Sequence, residues 1–168
     1  TTSSRKAEHL RINLDEDVQS GVSSGFERWR FLPLALPEVD LADVDTGTAF
    51  LGYELRAPFL ISCMTGGTPA ATGLNHLLAR VAQQYRIALG LGSGRALLED
   101  PGVLPSFDVR DLAPAVPLLA NLGAVQLLRG VSSADCARLV ELLQADALVL
   151  HLLELAMKAP TGSNAQNW

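Results

Sequence analysis

Four short apolar runs, each ending in a turn or a polar residue, dominate the hydrophobic pattern of this chain. The runs begin at Pro58, Ile87, Val116 and Ala147, which are 29, 29 and 31 residues apart. A short apolar run between turn residues is typical of a buried strand, and about 30 residues hold a complete βα repeat. The pattern therefore predicts an α/β fold of successive βα units, with parallel strands near residues 58–62, 87–91, 116–120 and 147–151.

The helices between these strands are predicted from apolar spacing and from capping residues. From Pro69 to Tyr85, apolar residues recur at intervals of three and four, which indicates a helix that buries this stripe. Ser132 or Ser133, followed by Asp135, indicates the start of a helix after the third strand. The second unit has only a short turn, RALLEDP, and a loop. The predicted buried positions are Leu74, Leu77, Leu78, Val81 and Tyr85 in the first helix and Cys136, Leu139, Val140 and Leu143 in the second.

The polar residues that follow the strands define a candidate ligand site. The first strand, PFLISCMTGGT, runs into paired glycines, and the later strands lead to Ser93, Asn121 and His151. The carboxyl ends of parallel strands meet at one edge of a sheet, and α/β proteins bind their ligands there. We therefore expect these residues to share a site. The residues alone leave a second explanation open, in which the glycines serve tight turns and nothing more.

The chain is predicted to have three parts. Residues 1–50 form an N-terminal arm, residues 51–151 form the βα units, and residues 152–168 form a C-terminal helix and tail. Prolines at 33 and 37 break the apolar patches of the arm, as expected for a segment that packs across a larger body. Its aromatic residues Trp29, Phe31 and Phe50 are predicted to be the anchors of that packing.

Composition narrows the class of protein. The 168 residues are 48% hydrophobic, which suits one domain with a full core, and the net charge of −5 argues against a nucleic-acid binder. A small phosphorylated ligand held by local cations stays compatible with that charge. Cys63 and Cys136 form no CxxC pattern, so neither a disulfide framework nor a zinc site is indicated. We expect a cytoplasmic protein without a membrane segment, because no apolar run reaches spanning length and no signal-peptide pattern opens the chain.

Six separated motifs between residue 5 and about residue 151 carry a family resemblance. They are RKAEHL, GFERWRFLPLALPEVDLADVDTGTAFLG, APFLISCMTGG, LGLGSGR, SFDVR and LLANLGAVQL. In these motifs and in their order the chain resembles the type 2 isopentenyl diphosphate isomerases, (β/α)8 (TIM) barrels that interconvert isopentenyl and dimethylallyl diphosphate. The resemblance implies the N-terminal half of such a barrel, bound FMN, NADPH as the reductant, Mg²⁺ and a small diphosphate substrate. It also implies isoprenoid biosynthesis as the setting.

The resemblance also assigns roles to individual residues. His151 matches a position of the catalytic strand. Arg5 and Lys6 would hold the substrate diphosphate, although the residues alone favour a solvated terminal helix. The remaining roles implied by the resemblance are a second diphosphate contact by Ser93, Gly94 and Arg95, and FMN contacts by Met64, Thr65, Gly66, Ser93 and Asn121.

The resemblance fails on the fourth strand. The family continues as His-x-Asn-Pro-x-Gln-Glu, where the Gln is the proposed proton-transfer residue and the Glu holds Mg²⁺. Here the Asn, Gln and Glu positions are Leu153, Ala156 and Met157, and alanine and methionine can neither donate a proton nor bind a hard cation. Glu154 lies nearby at a different offset and receives neither role. No metal ligand is therefore assigned, and impaired catalysis and weak FMN binding are expected.

The last 15 residues, ELAMKAPTGSNAQNW, resemble a segment that nitroreductases carry close to bound FMN. A helix that ends at Lys158 with a polar tail is the alternative. The change of family would fit a fusion, a truncated gene or an artificial chimera. Two further functions thus stay open beside the isomerase, namely a non-catalytic half-barrel that forms homo-oligomers through its sheet edges and a nitroreductase-like flavin reductase.

Overall fold

The computed structural model describes residue 8, residues 11–19 and residues 21–152. Arg5, Lys6 and everything after residue 152 lie outside these described residues, as do the predictions that fall on them. Within them, no helix has the length and apolarity that crossing a membrane would require. The arm contains helical residues 11–15 (α1) and two 3₁₀ turns, Phe26–Arg28 and Leu41–Asp43.

The rest of the described chain is a mixed α/β body built on two sheets. A hairpin of β1 and β2 precedes a sheet of four parallel strands in the order β3-β4-β5-β6, so consecutive strands are neighbours. The predicted parallel sheet is confirmed, and in the described residues it is open and not a closed barrel. The strands are β1 Thr48–Phe50, β2 Tyr53–Leu55, β3 Leu60–Ile61, β4 Ala88–Gly90, β5 Leu118–Gly123 and β6 Ala147–His151. The helices are α2 Pro69–Tyr85, α3 Arg95–Glu99, α4 Val125–Leu128 and α5 Ser133–Leu142, with 3₁₀ segments at Pro101–Ser106 and Arg110–Leu112.

Both long helices begin where their capping residues predict. The Thr68 side chain accepts a hydrogen bond from the Ala71 amide before Pro69 opens α2. At the start of α5, Ser132 and Asp135 form a capping box in which each side chain accepts from the backbone amide of the other residue. These local bonds satisfy amides that a helix leaves without partners, so the sequence defines both helix starts.

The face that α2 buries is not the predicted one. Leu77 and Tyr85 of the predicted stripe are 55% and 57% exposed, and Leu78 is only partly buried against the core. The buried positions recur at intervals of four, four and three, so they fit a helical period as well as the leucines do. Small side chains on this face let the helix axis approach the sheet closely, which larger leucines would prevent. The buried residues of α2 are Ala71, Asn75, Ala79 and Ala82.

The central strand β5 is buried along its whole length because it is covered on both faces. Successive side chains of a strand point to opposite faces. Leu118, Ala120 and Leu122 belong to the larger core beneath the helices, whereas Leu119 belongs to a smaller cluster with Leu55 of the hairpin. The hairpin therefore covers the face of the sheet that the helices leave open.

The arm does not pack as predicted. Trp29 is 81% exposed, Phe31 is fully exposed and Phe50 is 42% exposed, so none of the three aromatic residues is a buried anchor. Within residues 21–47, short-range hydrogen bonds form two 3₁₀ turns. The large apolar side chains of this segment, from Val22 to Val44, are nevertheless each more than half exposed. The aromatic side chains led us to expect burial, but the sequence does not show which surface would cover them.

The amino ends of the strands are joined by a polar cluster around Asp146, which directly precedes β6. Its carboxylate accepts hydrogen bonds from the Leu118 amide, from Arg110 Nη2 and from the Tyr53 hydroxyl, at 2.7, 2.7 and 2.8 Å. Arg110 also donates to three backbone carbonyls, including that of Val116 at 3.1 Å. The cluster thus ties the hairpin, the 3₁₀ segment and two strands together at one edge of the sheet.

The charge of Asp146 is stabilised by these partners. Burial disfavours its ionised form, but hydrogen bonds from the Leu118 amide, Arg110 and Tyr53, together with the Arg110 charge, outweigh burial and lower the pKa of Asp146. In return, the hydrogen bond to Asp146 is the main reason that the pKa of Tyr53 is raised.

Replacing this carboxylate should destabilise the fold in a pH-dependent way. We expect Asp146→Asn to lower the free energy of unfolding by about 1 to 2 kcal/mol at neutral pH, since one ionic hydrogen bond is lost and the side chain is 22% exposed. Because the folded pKa lies below the unfolded one, this contribution is present above the unfolded value and is lost as the pH falls through about 4 toward the folded value. Urea unfolding at pH 7 and pH 3 measures it, with the exposed Asp111→Asn as control. An equal deficit at both pH values would contradict the role of the charge.

Candidate functional site

Three backbone hydrogen bonds join the carboxyl ends of all four parallel strands. The Gly92 amide donates to the Thr65 carbonyl at 2.7 Å, the Gly94 amide to the Asn121 carbonyl at 2.7 Å, and the Ala124 amide to the His151 carbonyl at 2.9 Å. The first bond joins the loops that follow β3 and β4, and each of the other two joins the loop after one strand to a residue of the next strand. The predicted site residues of four separate units therefore lie along one continuous edge.

The turn after β3 depends on its two glycines. Gly66 and Gly67 have φ values of +142° and +84°, which favour glycine. A Cβ on Gly66 would lie 2.0 Å from the ring of Phe107, which is fully buried beneath the turn. The Gly67 amide donates to the Ser106 hydroxyl at 2.7 Å. The motif SFDVR thus supplies the support under the glycine turn, a use that the sequence did not reveal.

Gly92 brings two strand ends into backbone contact. A Cβ at this position would lie 2.5 Å from the Thr65 carbonyl oxygen and 2.8 Å from the Thr65 nitrogen. Any side chain would therefore push apart the two loops that the Gly92 amide joins. The close approach of the Gly92 and Thr65 backbones, and not only the geometry of a turn, therefore requires glycine at position 92.

Asn121 lies in the middle of the edge and is 4% exposed. It falls within β5, two residues before the strand ends, whereas the sequence placed it just beyond the strand. The pattern ended the run too early because it counted a polar residue as a boundary. Its side chain is hydrogen-bonded to Cys63, whose pKa is raised by burial, an effect that this hydrogen bond only partly offsets.

The loop after β4 holds the predicted anion contacts. The Ser93 hydroxyl accepts a hydrogen bond from the Arg95 amide at 3.4 Å, and Gly94 packs against the side chain of Leu139. Arg95 Nε donates to Glu99 at 2.7 Å, in an ion pair within α3. Arg95 thus lies at the predicted edge, and it already forms an ion pair with the carboxylate of Glu99.

The structure brings together most of the predicted residues. Met64, which is 72% exposed, and Thr65 lie in the turn after β3, and His151 ends β6 with a partly exposed side chain. Gly66, Ser93, Gly94, Arg95 and Asn121 complete this group, and its lateral order follows the order of the strands. The predicted diphosphate contacts Arg5 and Lys6 lie outside the described residues. The altered positions Leu153, Ala156 and Met157 lie outside them as well.

Sequence reasoning missed Asn75 and Ser106, which are 2% and 3% exposed behind the glycine turn. Asn75 was overlooked because the leucine stripe was taken as the buried face of α2. A polar residue in register with Ala71 and Ala79 was the available signal, since a buried asparagine within a stripe of alanines needs hydrogen-bond partners.

In the described chain, neither a nearby cleft nor a cluster of metal-binding side chains identifies a ligand for this edge. A cleft of about 370 Å³ between α3 and α5 is lined by Arg95, Arg129 and Arg138, but Glu99 and Asp135 line it too. Among residues 11–19 and 21–152, no group of three or more His, Cys, Asp or Glu side chains is arranged to hold a metal ion.

The chemistry of the edge fits an aromatic heterocycle that carries both donors and acceptors. Asn121 and Thr65 offer an amide and a hydroxyl, and the exposed Met64 offers an apolar surface beside them. Backbone groups of the glycine-rich loops add further polar contacts. These side chains are compatible with the isoalloxazine ring of FMN.

The described residues thus form a parallel α/β body with polar residues at its carboxyl edge, which is the edge where proteins of this architecture bind their ligands. Curated relatives narrow this class of proteins. The chain is 50% identical over 165 residues to a protein named isopentenyl-diphosphate delta-isomerase from Rickettsia africae (strain ESF-5). It is 51% identical to the protein of that name from Rickettsia bellii (strain RML369-C) and 48% identical to the one from Rickettsia prowazekii (strain Madrid E).

These matches cover 98% of this chain and 48% of each relative. The chain therefore spans about half the length of the curated relatives it matches. The matched region leaves out only three of the 168 residues, so it continues beyond residue 151, where the resemblance was expected to end. No family model matches the chain.

Adding a methyl group at Gly92 should separate the two loops that meet there. We expect Gly92→Ala to lower the free energy of unfolding by about 2 kcal/mol, because its Cβ has no space beside the Thr65 backbone. Gly73→Ala is the matched control, since Gly73 lies within α2 with no atom within 4 Å of its Cβ position. It should instead stabilise the chain by about 0.5 to 1 kcal/mol. Urea unfolding of both variants tests this pair of opposite signs, and a neutral Gly92→Ala would refute the close approach.

Proposed function

We propose that this chain supplies the flavin- and diphosphate-facing edge of an isopentenyl-diphosphate delta-isomerase of the FMN-dependent type 2. Its parallel strands would be the first four of a (β/α)8 barrel. The single observation that carries the proposal is the identity of about 50% across nearly the whole chain to proteins named isopentenyl-diphosphate delta-isomerase. The grouping of Thr65, Ser93 and Asn121 along one sheet edge supports it.

In this proposal the ring of FMN lies against the glycine turn. Thr65 and Asn121 would hold its polar edge, and Met64, Gly66 and Ser93 would contact its face and rim. If bound there in its reduced form, the flavin would supply acid–base chemistry for the proton addition and removal by which a carbon–carbon double bond is shifted. NADPH would be the reductant, as in the family that the chain resembles.

The substrate diphosphate would be held by cations and amides. Arg5, Lys6 and Arg95 are the cations in the proposal, and Ser93 and Gly94 add a hydroxyl and a backbone amide. Arg95 would exchange Glu99 for the diphosphate, which is a small change because this ion pair is half exposed on the Glu99 side. A net charge of −5 over the chain makes such local cations necessary.

Catalysis by this chain is proposed to be impaired. The positions that match the family's proton-transfer Gln and Mg²⁺-binding Glu are Ala156 and Met157, which offer neither a proton nor a carboxylate. His151 keeps its place at the end of β6 and is the remaining candidate catalytic residue.

We also propose self-association in the cytoplasm. In the described part of the chain, β3 and β6 each pair on one side only, and their unpaired edges carry apolar residues. Phe59 and Leu60 are 67% and 48% exposed beside one edge, and Leu150 and Leu152 are 44% and 63% exposed beside the other. These edges favour a homo-oligomer. The alternative of a nitroreductase-like reductase rests on the tail alone, and the extent of the match to the isomerases argues against it.

FMN should bind weakly at the carboxyl edge. In (β/α)8 barrels the phosphate usually sits at the loops after strands 7 and 8, so residues 1–168 assayed by themselves would offer the ring contacts alone. We expect FMN to be lost on gel filtration, and Asn121→Ala to weaken binding about tenfold in a fluorescence titration, equivalent to about 1.4 kcal/mol. Leu119→Ala is the control, because Leu119 lies on the same face of β5 as Asn121 but belongs to the cluster with Leu55 of the hairpin. Equal losses in both variants, or no binding by the unmodified chain, would contradict the flavin site.

The unmodified chain should not isomerise isopentenyl diphosphate when assayed with reduced FMN and Mg²⁺. Positioned acid–base groups contribute about 10²- to 10⁴-fold, and Ala156 cannot supply one. The same assay on the double variant Ala156→Gln, Met157→Glu asks whether turnover rises when both groups are restored. Robust turnover by the unmodified chain would show that the catalytic strand has been assigned wrongly.

A further inference from the structure

Asn75 connects three segments behind the glycine turn and is 2% exposed. Its Nδ2 donates to the Thr65 carbonyl at 3.2 Å and to the Ser106 carbonyl at 2.6 Å. Its Oδ1 accepts a hydrogen bond from the Thr65 hydroxyl. The side chain of one helical residue thus holds both the backbone and the hydroxyl of Thr65.

The orientation of this amide is determined by its partners. The opposite orientation would place the amide oxygen against two carbonyl oxygens, which can only accept hydrogen bonds. Both N–H groups are therefore used on carbonyls, and the oxygen is left for the Thr65 hydroxyl. Because that hydroxyl donates its proton to Asn75, the Thr65 oxygen can meet a further group only as an acceptor.

Ser106 extends the same support to the glycines. Its hydroxyl accepts from the Gly67 amide at 2.7 Å and donates to the Val103 carbonyl at 2.7 Å. The Thr65 carbonyl that Asn75 holds is also the acceptor for the Gly92 amide. Asn75 and Ser106 together therefore position the turn after β3 and its junction with the loop after β4.

We infer that Asn75 is a positioning residue of the candidate site, which holds the glycine turn and presents the Thr65 oxygen as a hydrogen-bond acceptor to an N–H group of the ligand. The ligand class is a nitrogen heterocycle with an N–H at its edge. This inference rests on the proposed function where the heterocycle is FMN, but the positioning of the turn does not depend on it.

The first test measures amide hydrogen exchange and needs no ligand. In Asn75→Ala, exchange at Gly92 and Gly67 should be at least about tenfold faster, equivalent to about 1.4 kcal/mol. Exchange at Leu91, whose amide donates to the Leu119 carbonyl within the sheet, should stay within about twofold. Gln83→Ala is the matched control on the same helix, since Gln83 accepts from the Ala115 amide. An equal increase at all three amides would mean that Asn75 stabilises the fold as a whole and not the glycine turn in particular. That result would overturn the inference.

Ser106→Ala provides a second variant should Asn75→Ala fail to fold. It removes the acceptor of the Gly67 amide but leaves the Ser106 carbonyl that Asn75 uses. We expect faster exchange at Gly67 alone, with Gly92 unchanged. A change at Gly92 as large as that at Gly67 would overturn the division of roles between Ser106 and Asn75.

The second test is a double-mutant cycle on FMN affinity. Asn75→Ala should weaken FMN binding about tenfold in the unmodified chain and by a clearly smaller factor in the Thr65→Val background, because the part of its effect that passes through the Thr65 hydroxyl is already lost there, whereas its bonds to the backbone carbonyls remain. The same loss in both backgrounds would overturn the inference. If the unmodified chain binds no FMN, the proposed flavin site fails, and the amide exchange alone decides whether Asn75 positions the turn.

Discussion

The contact between Gly92 and the backbone of Thr65 is the constraint on which the candidate site depends. The Gly92 amide donates to the Thr65 carbonyl at 2.7 Å, and no side chain fits between them. Because β3 is only two residues long, its ladder with β4 is short, and this contact extends the pairing beyond the strand. It brings the glycine turn within reach of the loop that carries Ser93. Without it, β3 would be joined to the sheet only by its short ladder with β4.

The segment Ser106–Arg110 connects the two edges of the sheet. At the carboxyl edge, Ser106 and Phe107 support the glycine turn, through a hydrogen bond and through ring packing. Four residues after Ser106, Arg110 donates to Asp146 and to three carbonyls at the amino edge. One short segment therefore couples the candidate ligand edge to the edge that stabilises the fold. The motif SFDVR therefore serves the packing of the fold at both ends of the parallel strands.

Local patterns predicted much of the fold, because each feature lies within a few residues. The four parallel strands, the start of α2 at Pro69 and the capping box at Ser132 follow from such patterns, whereas the β1–β2 hairpin was not predicted. What they missed depends on distant surfaces. The apolar stripe of α2 was assigned to the leucines because size was taken as a guide to burial, whereas close packing on the sheet selects small residues. Trp29 and Phe31 were expected to be anchors, and no local pattern reveals that their side chains stay exposed.

The candidate site was predicted in a similar way. The glycine turn, Ser93 and Asn121 were found because each follows an apolar run, and the parallel topology then placed them on one edge. Asn75 and Ser106 were missed because they belong to a helix and a loop that reach this edge only through tertiary packing. Their hydrogen bonds join residues that are more than 30 positions apart in the sequence. The local spacing of apolar and polar residues does not reveal such contacts.

We propose that the carboxyl edge of the parallel sheet is the ligand-binding edge. The most direct test is a titration of the ¹⁵N-labelled chain with FMN, followed by the chemical shifts of its backbone amides. We expect progressive shifts at Thr65, Gly92, Ser93 and Asn121, while Leu118 and Arg110 at the opposite edge stay unchanged. Shifts concentrated at the amino edge, or spread evenly over the sheet, would contradict it.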